Sequence, residues 1–144
     1  MDISIIIVCW NSESILSKCL ESIFESTRIK IIKSTNDKSV NKYQSDHCNL
    51  IVEIVVVDNS NSAKCAEIVN SFVDVTLIQN SKNLGYSTAV NIGARNSIGE
   101  HIFVLNPDVI LEKNTIIRLY EKTQTIADLG ILAPILYDEG ATKF

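Results

Sequence analysis

At 144 residues, with 46% hydrophobic and 21% charged residues and a formal charge of -4, the chain has the make-up of one globular domain large enough to bury a real core. The acidic balance argues against a nucleic-acid polymer as partner, because that binding relies on a basic surface that displaces counterions from phosphates; a small anion held by a few placed groups stays open. The early apolar run at residues 3–10 follows Asp2 and is too short to span a bilayer or to form a signal peptide with its basic flank, so a cytoplasmic chain is expected.

Residues 3–9, Ile-Ser-Ile-Ile-Ile-Val-Cys, form a β-branched run suited to a parallel strand covered on both faces. Asn11 and Ser12 are candidate N-caps. Beyond them Ile15, Leu16, Cys19, Leu20, Ile23 and Phe24 make a helical stripe, with Glu13 at the positive end of the dipole. From 27 to 49 the chain turns polar and lysine-rich, and the reading is a long surface insertion loop. A second strand at 50–57 ends in Asp58-Asn59-Ser60-Asn61 and leads to a short helix with Ala66, Val69 and Phe72 on its apolar side.

A third strand at 75–78 is followed by Asn83-Leu84-Gly85, which turns the chain into a helix over about 87–97. A fourth strand at 101–105 ends in Asn106-Pro107-Asp108. Asn114 then caps a helix carrying Ile116, Ile117, Leu119 and Tyr120, and 131–136 is a further strand or an extended segment. Strands alternating with helices at this spacing predict an α/β, Rossmann-like fold, a mostly parallel sheet with helices on both faces. Ligands of such sheets bind beyond the carboxyl ends of the strands, where the strand order reverses. Asn11, Asp58 and Asp108 end strands and are expected to converge there. The four cysteines, Cys9, Cys19, Cys48 and Cys65, lack Cys-x-x-Cys spacing and read as reduced, buried small hydrophobes. His47 and His101 have no metal-pair spacing and receive no role.

Four segments then become specific in combination. Val8-Cys9-Trp10-Asn11, the run from Glu53 to Ser60, Asn83-Leu84-Gly85 on to Asn91-Ile92-Gly93, and Leu105-Asn106-Pro107-Asp108 occur in the order found in the N-terminal half of family 2, GT-A-type glycosyltransferases. The resemblance runs over about residues 3–137, apart from the polar insertion. The Asn-Pro-Asp variant, with Asn-x-Gly upstream, is most similar to bacterial rhamnosyltransferase-like members.

The resemblance implies a nucleotide-sugar-binding domain taking a UDP- or dTDP-sugar for inverting transfer to a glycan or lipid-linked acceptor. Asp58 would accept the imide N–H of uracil or thymine, a charge-assisted bond worth roughly 1.5 to 3 kcal/mol; the plainer role is a cap on the next helix. Trp10, where the family usually has Tyr, would stack on the pyrimidine or else pack the first helix. Asn11 shapes its turn more than it touches ligand. Asn83, Gly85, Asn91 and Gly93 would lie beside the nucleoside, with glycines permitting close approach and helix N–H groups facing an anion. Asp108, with Asn106 beside it, would hold Mg²⁺ or Mn²⁺ as Lewis acid for the departing diphosphate. The family motif is Asp-x-Asp, and the neutral Asn106 leaves one carboxylate, so more of the coordination falls to diphosphate and water. The insertion lysines invite a lipid-linked acceptor or peripheral membrane association at an anionic inner face, against the plainer reading of a solvated loop.

In the resembling family the catalytic base and much of the acceptor site lie in a second half. The 144 residues are expected to stop before it, and no base is assigned. Binding without turnover is the expectation. A nucleotide-binding module without enzymatic activity is the alternative, and a flavodoxin- or receiver-like domain is disfavoured because Cys9-Trp10-Asn11 lacks the acidic cluster a receiver needs.

Overall fold

A computed structural model of the chain describes residues 2–26, 41–44 and 49–138. The elements run β1 (Ile3–Cys9), α1 (Glu13–Ser26), β2 (Asn41–Gln44), β3 (Asn49–Asp58), α2 (Ala63–Asn70), β4 (Val75–Gln79), α3 (Tyr86–Arg95), β5 (His101–Leu105) and α4 (Thr115–Thr123). β1 lies at the centre and pairs in parallel with β3 on one edge and β5 on the other. β4 pairs in parallel with the second half of β3, from Ile54 to Asp58. The parallel strands therefore lie in the order β4-β3-β1-β5, which is the Rossmann-like architecture expected from the sequence.

The polar stretch expected to be all loop contains β2, which pairs antiparallel with Asn49 to Val52. Its four residues, Asn-Lys-Tyr-Gln, carry no apolar alternation. What makes the pairing available is geometric: β4 reaches back only to Ile54, so the start of the same β3 edge would otherwise leave its backbone groups unpaired. Residues 131–136 lie outside any strand or helix. Asn114 does occupy the N-cap position of α4, yet it sits in the left-handed region at φ 64 and its side chain makes no cap hydrogen bond.

All seven residues of β1 are buried. Ile3, Ile5, Ile7 and Cys9 face one side, where they meet Val52, Ile54 and Val56 of β3 and the apolar stripes of α1, α2 and α4. Ile6 and Val8 face the other side with Val55, Val57 and Ala89, under α3. Helices therefore cover both faces. The alternation follows from chain direction: the steps from β1 to β3 to β4 move one way and keep α1 and α2 on one face. The step from β4 to β5 moves back past β1 and puts its helix on the other, as a constant crossover hand requires.

α3 approaches the sheet closely at Gly93. A Cβ placed there would lie 2.6 Å from Ile6 Cγ2 and 3.1 Å from Val57 Cγ2, both β-branched methyls of fully buried residues. Helix propensity alone favours alanine over glycine by about 1 kcal/mol, but inserting a methyl into a packed core costs about 1–3 kcal/mol. Gly93→Ala is therefore expected to lower stability, and Gly93→Leu to lower it much further. Urea unfolding checks this, and a more stable Gly93→Ala protein would show that the helix can lift without loss.

Candidate functional site

A cleft of about 450 Å³ opens at the carboxyl ends of β1 and β5, where the strand order reverses. Its lining brings together Trp10 and Ser12 after β1, Asn59 after β3, Asn83, Gly85 and Tyr86 at the start of α3, and Asn106 to Asp108 after β5. Five of the residues expected in a site, Trp10, Asn83, Gly85, Asn106 and Asp108, thus share one cleft. Asn11, Asp58 and Asn91 are not part of the lining. Asn11 is exposed at φ 52, in the left-handed turn conformation that asparagine tolerates, and Asn91 is exposed on α3. A second hollow of about 470 Å³, between β5, α4 and residues 126–132, is mainly apolar and gathers none of the expected residues.

Asp58 lies beneath the cleft wall and is fully buried. Its Oδ1 accepts the Ser60 backbone N–H at 2.9 Å and the Ser60 hydroxyl at 2.7 Å. Its Oδ2 accepts the Ser62 N–H at 2.8 Å and the Gln79 amide at 3.2 Å. A carboxylate has about four acceptor positions, so internal donors use all of them. Burial pushes the Asp58 carboxyl up, but the hydrogen bonds from Ser60, Ser62 and Gln79 outweigh it and hold the group below its ordinary 3.8.

Asn59 is the hub of the wall itself. Its Nδ2 donates to Asn83 Oδ1 at 2.8 Å and to the Gly85 carbonyl at 3.4 Å, while its Oδ1 accepts from Asn80 Nδ2 at 3.0 Å and the Leu84 N–H at 3.1 Å. Asn83 Oδ1 also accepts the Gly85 N–H at 2.8 Å. Gly85, the N-cap of α3, has φ 82 and ψ 157, a region essentially closed to residues with a Cβ. Gly85 is therefore a conformational necessity at this turn. Gly93, by contrast, serves helix packing. Asn59 and Tyr86 lie within the same motif segments as the expected site residues; the amide residues at 59, 80 and 83, spaced across two strand ends, are the sequence signal that marks Asn59.

The far wall is Asn106-Pro107-Asp108. The Asn106 carbonyl accepts the Cys19 thiol at 3.6 Å and the Val109 N–H at 3.2 Å, and its side-chain Oδ1 accepts the Tyr86 hydroxyl at 2.9 Å. Burial, with a smaller contribution from the charge of Asp108, raises the Cys19 thiol to about 12, so it stays protonated and able to donate. Trp10 is 56% exposed and Tyr86 51% exposed, so neither ring is spent on the core. Cys9, Cys19 and Cys65 are free and buried, as expected; Cys48 and His47 lie outside the described residues.

Among the described residues Asp108 is the single carboxylate in the lining, and no cluster of three or more His, Cys, Asp or Glu side chains could hold a metal ion unaided. That donor set suits a hard cation whose remaining ligands come from phosphate oxygens and water. It does not suit a site built from protein alone.

The sequence profile described as Glycosyl transferase family 2 matches residues 4–144. The low-salt glycan biosynthesis hexosyltransferase Agl10 of Haloferax volcanii is 31% identical over 128 residues, covering 85% of this chain and 41% of its own length. Two solved structures share the fold. TarS residues 1–349 of S. aureus, in complex with UDP-GlcNAc, superposes with a TM-score of 0.65 at 17% identity, over 92% of this chain and 37% of that one. The mannosyltransferase PcManGT of Pyrobaculum calidifontis, in complex with GDP-Man and Mn²⁺, gives 0.59 at 18% identity over 80% of this chain and 30% of that one. The chain thus spans well under half the length of the relatives it matches.

The hydrogen-bonded carboxylate of Asp58 gives a test of the wall. Asp58→Asn would set an amide against one of the Ser60 and Ser62 donors, and is expected to cost about 1–3 kcal/mol. Because the folded-state pKa is depressed, the ionised group stabilises the fold fully above its unfolded value. That contribution is lost as pH falls through the ordinary 3.8 toward the lower folded value. Chemical unfolding from pH 7 to pH 3 should show wild type losing more stability than Asp58→Asn over the acid end. Parallel pH profiles would mean that Asp58 contributes nothing as an anion.

Proposed function

This chain belongs to glycosyl transferase family 2, and from that premise we propose that its cleft is the donor site for a nucleotide sugar. The observation that carries the reading is the meeting of Trp10, Tyr86, Asn106 and Asp108 in one cleft at the reversal of strand order. Two exposed aromatic faces, a wall of fixed amides and one carboxylate fit a ligand with a flat base at one end and a charged diphosphate at the other. Trp10 offers a stacking face for a pyrimidine. Asp108 would hold Mg²⁺ or Mn²⁺ jointly with the phosphates, and the cation when bound would neutralise charge on the departing diphosphate.

Asp58 supports this site as the anchor of the loop that carries Asn59 and Ser60. Direct contact with the imide N–H of uracil or thymine needs one internal donor to leave, and the Gln79 bond is the longest of its four. Asn83 and Gly85 place the start of α3 beside the nucleoside, and the partial positive charge of that helix end favours an anion. Asn91 and Asn11 bear on the ligand only through the helix and the turn that they belong to.

The reaction proposed for the whole protein is inverting transfer from a UDP- or dTDP-sugar, with a rhamnosyl-type donor as the finer reading, to a glycan or lipid-linked acceptor. Displacement at the anomeric carbon needs a base for the acceptor hydroxyl. With Asp108 committed to the cation, no other carboxylate lines the cleft among the described residues. This chain by itself is therefore read as binding donor without transferring the sugar. No described helix is long and apolar enough to cross a membrane; contact with an acceptor at an anionic membrane surface would rest on the lysines of the 27–49 stretch.

Trp10 is the only tryptophan, which makes its fluorescence a specific reporter of the cleft. UDP or dTDP is expected to quench it, and Mn²⁺ or Mg²⁺ to tighten that binding. Trp10→Ala should cost about 1–3 kcal/mol of nucleotide affinity by calorimetric titration. Asp108→Ala should abolish the metal enhancement and leave a weaker, metal-free component. Asp58→Asn assayed beside these separates contact from support: loss of affinity beyond the loss of stability indicates the base contact. Wild-type binding indifferent to Mn²⁺, Mg²⁺ and chelator would remove the metal from the reading. Absence of any nucleotide binding would remove the donor site.

A further inference from the structure

The hydrogen bond between Tyr86 and Asn106 crosses the cleft and has no packing purpose. Tyr86 is half exposed, so its ring is not there to fill the core. It is the first residue of α3, directly after Gly85, whose N–H is fixed by Asn83 and whose carbonyl is held by Asn59. The hydroxyl is thus delivered by a rigid loop to Asn106 Oδ1 at 2.9 Å. Asn106 is itself immobilised: its carbonyl is gripped by Cys19 and Val109, and Pro107 restricts its backbone.

A carboxamide has one accepting oxygen and one donating nitrogen on opposite arms. The Tyr86 hydroxyl takes one of the two acceptor positions of the oxygen and fixes the plane and sense of the amide, so the arm left with both of its hydrogens for a ligand is the NH₂, which can donate to an anion and cannot coordinate a hard cation. Resting on the nucleotide-sugar reading above, we propose that Tyr86 is a positioning residue that sets the Asn106 amide so that Nδ2–H donates to a diphosphate oxygen, making Asn106 a phosphate donor and not a metal ligand. Asp108 then faces the cation alone. The substitution of amide for acid at position 106 gains a donor and removes one negative charge from beside an anionic ligand.

The test uses the full chain, titrated with UDP and dTDP and with the matching nucleosides, each in Mn²⁺ and in chelator. Tyr86→Phe keeps the ring and should lower diphosphate affinity, by about three- to ten-fold, in both conditions, in line with one hydrogen bond to a charged group. Nucleoside affinity and melting temperature should not move. Asn106→Asp, which can only accept, should weaken diphosphate binding in chelator and should not strengthen it in Mn²⁺. In an Asn106→Ala background, Tyr86→Phe should have no further effect.

Tighter Mn²⁺-dependent binding by Asn106→Asp would overturn the proposal, since it would mark position 106 as a metal ligand. So would equal losses for diphosphate and nucleoside in Tyr86→Phe, or no loss at all, while wild type binds normally; those results leave the donor site standing. A wild-type protein that binds neither nucleotide nor nucleoside overturns both readings together.

Discussion

Backbone hydrogen bonding at β1 is the constraint from which the rest of the structure follows. A strand with every residue buried must find partners for its N–H and C=O groups on both edges, because an unpaired buried amide costs as much as a lost hydrogen bond. β3 and β5 supply them in parallel register, Cys9 beside Asp58 and Ile7 beside Leu105. Since parallel neighbours need crossovers, the chain must leave β1 over one face and come back to its other edge over the opposite face. α3, on the return path, then lies on the face opposite α1, and the cleft opens between its start and the turns that follow β1 and β5. Its position is a consequence of pairing, before any side chain is specified.

What shapes the cleft is of a different kind. Residues 81–88 are exposed throughout, so little apolar burial holds the loop that forms one wall. Asp58 and Asn59 do that work with hydrogen bonds instead, one side chain fixing the turn after β3 and the other fixing the turn before α3. Such a network holds a single arrangement as long as every member is satisfied, and it turns costly when one is removed. The wall is therefore rigid without being well packed, which suits a surface that must meet a polar ligand at defined distances. The opposite wall combines both modes: Leu105 anchors β5 in the core, and Cys19, Val109 and Tyr86 fix the residue that follows.

The parts of this architecture legible in the sequence were those governed by burial. The β-branched run of β1 and the stripe of α1 could only be a covered strand and a one-sided helix, and the strand over His101–Leu105 agreed to the residue. β2 was illegible because Asn-Lys-Tyr-Gln has one strand-favouring residue, Tyr43, and no apolar alternation; the vacancy on β3 favours the pairing, and that is a tertiary fact. The site was legible to the level of segments and less so to the level of atoms. Trp10, Asn83, Gly85, Asn106 and Asp108 share the cleft. That Asp58 would turn inward while Asn59 faced the cleft is a matter of one residue's offset at a strand end. There the alternation of the strand gives way to turn geometry, and sequence periodicity stops being informative. Periodicity is uninformative at Tyr86 for the same reason, since it stands where a turn becomes a helix.

One carboxylate in the cleft has a thermodynamic corollary for the proposed function. A hard cation that relies on the ligand's phosphates for most of its oxygens binds weakly to the empty protein and well to the complex. Coupling of this sort is reciprocal: whatever factor the nucleotide adds to metal affinity, the metal adds to nucleotide affinity. A protein-only site built from paired acids would hold the cation in advance and show less coupling, at the expense of repelling a diphosphate whenever the cation is absent. With Asn106 neutral and oriented by Tyr86, the empty cleft carries less negative charge toward an arriving diphosphate. On the proposed function, an amide in place of an acid would make the cleft a nucleotide site that recruits its metal, where a pair of acids would make a metal site that recruits a nucleotide.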